Sequence, residues 1–181
     1  PVTYLGCLSR LESCLHQKAK KEFILIILSG PEPQRTLLER KIIADAAQVS
    51  QDIVLVRGLP GNSHQLNTAS HITVFNHLPA AILNDYLCTA SYVIGRSGYT
   101  SIMDYIKTGV QSILIPTPGQ AEQEYLAGYL HHQQLAFTIE QNKFSLNGAI
   151  QQARIFDYKK INWNMDGYKQ VINEFINSIT R

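Results

Sequence analysis

The chain has 181 residues, 45% of them hydrophobic, a length and composition that suit one well-packed domain. Its 16 basic and 14 acidic residues leave a formal charge of +2 with no basic stripe or polybasic tail, which argues against a nucleic acid or a strongly anionic surface as partner. A small, local anion stays open as a ligand.

The first periodic element is Phe23 to Ser29, a continuous apolar run with β-branched residues, as expected of a strand covered on both faces. It stops at Gly30-Pro31-Glu32-Pro33. Thr36 to Gln48 places Leu37, Leu38, Ile42, Ile43 and Ala46 at helical spacing, and Asp52 to Arg57 is again a strand, ended by Gly58-Leu59-Pro60-Gly61. The alternation continues with strand Ile72 to Phe75, helix Pro79 to Thr89, strand Tyr92 to Gly95, helix Gly98 to Thr108, strand Ser112 to Ile115 and helix Gln120 to Gln133. A weak strand at Ala136 to Ile139 and helices at Leu146 to Ile155 and Gly167 to Ile179 close the chain. Strands alternating with helices predict an α/β fold, a Rossmann-like parallel sheet with helices on both faces.

Such a sheet takes its ligand at the carboxyl ends of the strands. Those ends are Ser29 to Arg35, Gly58 to Asn62, Asn76 to Leu78, Arg96 to Gly98 and Pro116 to Gln123. In "VIGRSGYTSIMD", helical spacing puts Ser97, Ser101 and Asp104 in one stripe, with Ile102, Met103 and Ile106 toward the sheet. A helix N-terminus at Ser97-Gly98 favours a phosphate, and an acid two turns on can accept hydrogen bonds from a ribose diol. Read alone, Ser97 is equally an N-cap and the stripe a solvated face. In "PTPGQAEQE", Gln123 and Glu124 can present amide and carboxylate groups to an uncharged sugar, although Glu122 and Glu124 equally suit the first turn of a helix. Arg35 is available for phosphate or simply decorates a helix start. Neither GxxxxGK[ST] nor GxGxxG is present.

The three cysteines, Cys7, Cys14 and Cys88, show neither the even count nor the paired spacing of a disulfide framework or zinc site, which points to a reducing compartment. The six histidines form no ligand spacing, and no Asp-x-Asp pair or catalytic triad is legible, so neither metal nor side-chain chemistry is expected of this segment. The longest purely aliphatic or aromatic run, Phe23 to Leu28, is far short of the ~20 residues that span a bilayer, and a cytoplasmic location is expected. The start at Pro1, with Tyr4-Leu5-Gly6 reading as mid-sequence, suggests a segment of a longer protein.

From Tyr4 to about Ile139 the chain resembles the C-terminal, donor-binding half of a GT-B glycosyltransferase. The nearest likeness is to glycosyltransferase family 28, which includes the bacterial N-acetylglucosaminyltransferase of peptidoglycan lipid synthesis. "ITVFNHLPAAILNDYLCTASYVIGRSGYTSIMDYIKTG" is similar to that family's strand, helix, strand and R-S-G-x-x-x-x-x-E helix. "PTPGQAEQEYLAGYL" resembles its P-x-P-x-x-x-x-Q-Q-x-x-N-A, and "YLGCLSR" its interdomain linker, here residues 1–10. The resemblance implies that Phe75 and Asn76 border the nucleobase, Ser97 and Gly98 meet the diphosphate with Ser101 nearby, and Asp104 binds the ribose hydroxyls. It implies further that Gln123 and Glu124 read the donor sugar and that Arg10 reaches the donor phosphate. With the loop residues Ser29, Gly30, Arg35, Arg96 and Gln120, these make the candidate donor contacts.

Three departures stand out. Ser29-Gly30-Pro31-Glu32-Pro33 replaces the family's glycine-rich G-G-S-x-G-A loop, Asp104 stands for the usual Glu, and Glu124 and Ala127 occupy the family's second Gln and its Asn. The resemblance implies binding of a nucleotide sugar, a UDP-sugar, without metal or other cofactor, for inverting hexosyl transfer. The acceptor and the general base would then lie in an N-terminal domain or partner chain, so the segment alone would be inactive, and membrane contact would come only through that other half. Alternatives are a noncatalytic donor-binding subunit of a split glycosyltransferase and a sugar-nucleotide epimerase. The last helix carries Val171, Ile172, Phe175 and Ile176 as a stripe that covers its own sheet or packs toward another domain.

Overall fold

The computed structural model describes residues 2–14, 22–64, 66–160 and 163–179. Six parallel strands, β1 (Phe23–Ile27), β2 (Asp52–Val56), β3 (Ile72–Phe75), β4 (Tyr92–Gly95), β5 (Gln111–Leu114) and β6 (Phe137–Thr138), form one sheet in the order β3-β2-β1-β4-β5-β6. The helices between and after them are α1 (Gln34–Ala46), α2 (Ala80–Thr89), α3 (Tyr99–Thr108), α4 (Ala121–His132), α5 (Leu146–Ile155) and α6 (Gly167–Ile179).

Period-two alternation within strands that are apolar on both faces divides the core in two. Ile24 and Ile26 face one way, with Leu38 and Ile42 of α1 and Leu146, Ala149 and Ile150 of α5. Leu25 faces the other, with Leu83 and Leu87 of α2, Ile102 and Met103 of α3 and Leu130 of α4. The two layers of helices and the sheet between them are the doubly wound arrangement that the alternating pattern predicts.

The chain lays down β1, β2 and β3 outward in one direction and then crosses to place β4 on the other side of β1. The loops after β1 and β4 therefore part at the centre of the sheet, where such folds open a crevice. Register aligns the strand ends: Ile27 pairs with Val56 and Gly95, Val56 with Phe75, and Gly95 with Leu114. Leu28, Arg57, Asn76, Arg96 and Ile115 thus leave the sheet along one edge. Gly95 has a packing reason to be glycine: a Cβ there would collide with the hydroxyl of the buried Tyr105.

One expectation is corrected, and one of the two readings of the last helix falls away. Cys14 and Cys88 form a disulfide, their Cα atoms 5.6 Å apart across a sequence separation of 74, and Cys7 is the free thiol. Spacing along the chain could not show this, because the pair exists only once the segment before β1 folds back over α2, and the argument for a reducing compartment loses its ground. The last helix, α6, does not cover the sheet. None of its residues is buried, and Ile172, Phe175, Ile176 and Ile179 are exposed. It is tied to the body through Asp166, which accepts a hydrogen bond from Lys107 Nζ of α3 at 2.7 Å. Among the described residues, no helix is long and apolar enough to cross a membrane.

Candidate functional site

Several candidate side chains sit where a strand ends, whereas Arg10 precedes β1, Asp104 lies within α3, and Gln123 and Glu124 lie in the first turn of α4. At the end of β4, Arg96 turns back under the sheet edge and is 1% exposed. Its Nη1 donates to the carbonyls of Ile115 and Pro116, both at 3.2 Å, and its Nη2 to the Gln34 carbonyl at 3.0 Å and to Gln141 Oε1 at 2.7 Å. These partners are all neutral, and Nε has none. Burial pushes the guanidinium down to about 10, which still leaves it charged at neutral pH. A buried charge with only neutral partners is costly.

The neighbouring polar atom that also lacks a partner is Thr117 Oγ1, just after β5. Both atoms flank Gly30: a Cβ on that glycine would lie 3.5 Å from Thr117 Oγ1 and 4.0 Å from Arg96 Nε. Gly30 has φ +98, a conformation that L side chains rarely adopt, so the loop after β1 can bend closely over this corner. Ser29 beside it is half-buried.

Ser97 is fully buried and precedes the helix rather than capping it by its side chain; the N-cap of α3 is Gly98, with no side-chain cap. The Ser97 hydroxyl instead donates to the Gln123 carbonyl at 2.8 Å, fastening the start of α3 to the start of α4. The stripe read from the sequence therefore splits: Ser97 and Asp104 are buried, whereas Ser101 between them is half-buried. Asp104 has its Oδ1 bonded by Ser9 Oγ at 2.7 Å and its Oδ2 by Arg10 Nε at 3.3 Å. Burial first, and the Asp104 carboxylate next, drive the hydroxyl of neighbouring Tyr105 far above its ordinary range, while Ser101 and Arg10 act in the opposite direction.

Gln123 and Glu124 fold back on the turn that precedes them. Gln123 Oε1 accepts the Thr117 N–H at 3.0 Å, its Nε2 donates to Gln120 Oε1, and Glu124 Oε1 accepts the Gly119 N–H at 2.9 Å. They tie the β5–α4 loop to the first turn of α4 by accepting backbone N–H groups of the loop.

On the β2–β3 side the arrangement is different. Arg57, at the end of β2, donates Nε to Glu39 Oε1 at 2.6 Å and Nη2 to Glu39 Oε2 at 3.2 Å, a bidentate pair buried at both ends. Arg35 is also buried. It donates Nε to Glu32 Oε1 at 2.6 Å, lies 3.4 Å from Glu39 Oε1, and reaches Thr36 Oγ1 at 2.7 Å. Its guanidinium is thus engaged within α1 and the preceding loop, the structural alternative of the two open from sequence. Asn76 Oδ1 accepts from Arg57 Nη1 at 2.9 Å, its Nδ2 donates to the carbonyls of Asn62 and His64, and its own carbonyl accepts the Leu59 N–H. Phe75 packs on Tyr86 with ring centroids 5.9 Å apart.

The structure therefore links Ser97, Gln120, Gln123 and Glu124 through hydrogen bonds, with Arg96 next to Ser97 in the chain and Gly30 beside Arg96, and joins Arg10 to Asp104 on α3. Phe75, Asn76 and Arg35 belong to the network on the other side of β1. Sequence reasoning missed Ser9, Glu39, Arg57 and Thr117. The signals were faint: a charge closing an apolar strand at Arg57, an acid inside the apolar stripe of α1 at Glu39, and a hydroxyl between two prolines at Thr117. Among the described residues, no group of three or more His, Cys, Asp or Glu is placed to hold a metal ion.

The family model described as "Glycosyltransferase family 28 C-terminal domain" matches residues 10–159. The chain belongs to this family. No curated protein matches the sequence. Among solved structures, the glycosyltransferase SnogD from Streptomyces nogalater superposes with a TM-score of 0.57 at 16% identity, over 86% of this chain and 38% of that one. MurG from Acinetobacter baumannii gives 0.57 at 14% identity, over 89% and 51%. The glycosyltransferase SsfS6 from Streptomyces sp. SF2575, complexed with thymidine diphosphate, gives 0.51 at 15% identity, over 97% and 43%. At these identities the likeness is one of fold, the Rossmann-like half of a GT-B glycosyltransferase. The family-28 chain spans about two fifths to a half of the length of these neighbours.

Proposed function

We propose that this family-28 domain binds the nucleotide-sugar donor, a UDP-sugar, of a glycosyltransferase that transfers its hexosyl group to an acceptor held by another domain or chain. The observation that carries the reading is Arg96: a buried cation at the crevice between β1 and β4 whose hydrogen-bond partners are all neutral. A diphosphate supplies the missing negative charge, and the N-terminus of α3 beside it adds a favourable dipole.

In the transfer, an acceptor hydroxyl attacks the anomeric carbon, the bond from that carbon to the diphosphate oxygen breaks, and the configuration inverts. The departing diphosphate carries away the electron pair, and the hydroxyl's proton passes to a base outside this domain. The contribution of this chain is electrostatic: Arg10, Arg96 and the start of α3 favour the charge that grows on the leaving group. No metal is required in this proposal. Because catalysis needs the acceptor side, the domain alone binds donor without turnover.

Calorimetric titration with uridine diphosphate, with and without Mg²⁺, beside guanosine, adenosine and thymidine diphosphates, tests the reading. The thymidine nucleotide belongs there because SsfS6 is complexed with it. Saturable, uridine-selective, metal-independent binding that Asp104→Ala weakens by about 1.5–3 kcal/mol is expected. Selectivity for thymidine diphosphate would reassign the base, and no binding by a folded sample would overturn the proposal.

A further inference from the structure

Asp104 is the acid that the proposed donor site assigns to the ribose, yet its carboxylate already has partners on both oxygens, Ser9 Oγ at 2.7 Å and Arg10 Nε at 3.3 Å. A serine hydroxyl on a carboxylate oxygen is the contact that a ribose hydroxyl would make, so the two compete for the same lone pairs. Ser9 is pre-positioned for it. Its oxygen also accepts the N–H of Leu11 at 3.1 Å, which closes a local turn around the hydroxyl.

The segment is pinned on one side of this contact. Downstream, Leu11 is buried in the core, the Glu12 N–H donates to Asn84 Oδ1 at 3.2 Å, and Cys14 is bonded to Cys88 of α2. Upstream the hold is slighter: Cys7 meets Tyr99, while Val2, Tyr4, Leu5 and Leu8 are exposed. Within this upstream part, Gly6 has φ +79 and nothing near its Cβ position.

We propose that residues 6–10 are a clasp that occupies the ribose site from within the chain. Ser9 and Arg10 satisfy the buried carboxylate of Asp104 in the free protein. A nucleotide's ribose hydroxyls displace them, and Arg10 passes from the carboxylate to the nucleotide's phosphate, exchanging one anion for another. The proposal rests on the donor-binding reading above. Its physical basis is that a buried carboxylate without hydrogen bonds is costly, so the empty site needs an internal substitute. The free domain then binds nucleotide more weakly than its intrinsic affinity, by the fraction of molecules in which the clasp is open.

The test is calorimetric titration of the full 181-residue chain and its Ser9→Ala, Ser9→Thr and Asp104→Asn variants with uridine diphosphate and with 2′,3′-dideoxyuridine diphosphate. Ser9→Ala is expected to bind uridine diphosphate about three- to tenfold more tightly, the worth of one hydrogen bond. It should leave the dideoxy nucleotide unchanged, because that ligand has no hydroxyls to place on Asp104. Ser9→Thr, which keeps the hydroxyl, should behave as the parent. As a second readout, saturating the parent chain with uridine diphosphate should speed amide exchange at Leu11, whose N–H is held by Ser9. Uridine diphosphate binding that depends on Asp104 but is not tightened by Ser9→Ala, or a Leu11 amide that slows, overturns the clasp and leaves the donor reading standing. Failure of every folded chain to bind uridine diphosphate overturns both.

Discussion

Arg57 and Arg96 leave neighbouring parts of the same sheet edge, one at the end of β2 and the other at the end of β4, and both are buried. Arg57 meets a carboxylate: Glu39 grips it with both oxygens, with Arg35 on the same acid. Arg96 meets carbonyls and an amide, and its Nε meets nothing. The difference comes from one helix. On the β2 side α1 presents Glu39, whereas on the β4 side it presents only the Gln34 carbonyl. One arginine has its charge balanced by a carboxylate within the fold; the other bonds only neutral groups, the feature on which the proposed donor site rests.

The largest effect should come from opening the closed side. Glu39→Gln removes the charge that balances two buried guanidinium groups, and a loss of about 3–5 kcal/mol is expected in urea unfolding. Away from both arginines, Cys14→Ser serves as a control: it should cost about 2–4 kcal/mol through the unfolded chain while leaving pyrophosphate binding intact.

Arg96→Met should cost less than Glu39→Gln, about 1–3 kcal/mol from hydrogen bonds lost to neutral acceptors. Pyrophosphate should raise the melting temperature of the parent but not that of Arg96→Met. Equal costs for the two variants, with no pyrophosphate effect, would break the contrast between the two sides.

The smallest effect should come from the Lys107–Asp166 pair, whose acid is exposed, and it sets the lower end of the scale. Hydrogen bonds from Lys107 and Lys169 hold the Asp166 carboxyl down at about 2, below its ordinary 3.8. Its stabilising contribution is therefore complete above the ordinary value and is lost as the pH falls through about 2. Fluorescence of Trp163, the single tryptophan, should report a transition in that window that Asp166→Asn lacks.

α3 and α6 show where sequence reading succeeds and where it stops. Both carry an apolar stripe. That of α3 is buried through Ile102, Met103 and Tyr105, while no residue of α6 is fully buried. Periodicity specifies which face is apolar and is silent on what covers it. Ser97 shows the same limit at the site: its position before a helix was legible, but its hydroxyl bonds a carbonyl of another helix.

By itself the sequence determined the order and approximate bounds of the strands and helices, the parallel α/β architecture and the edge at which polar residues gather. These follow from local periodicity and turn chemistry, which act over a few residues. The tertiary structure alone decided that Cys14 meets Cys88, that Glu39 balances Arg57, that Arg96 bonds the neutral groups of Gln34, Ile115, Pro116 and Gln141, and that Ser9 rests on Asp104. Each of these is a pairing between residues 18 or more apart along the chain, chosen by strand order and helix placement and left unmarked by local pattern.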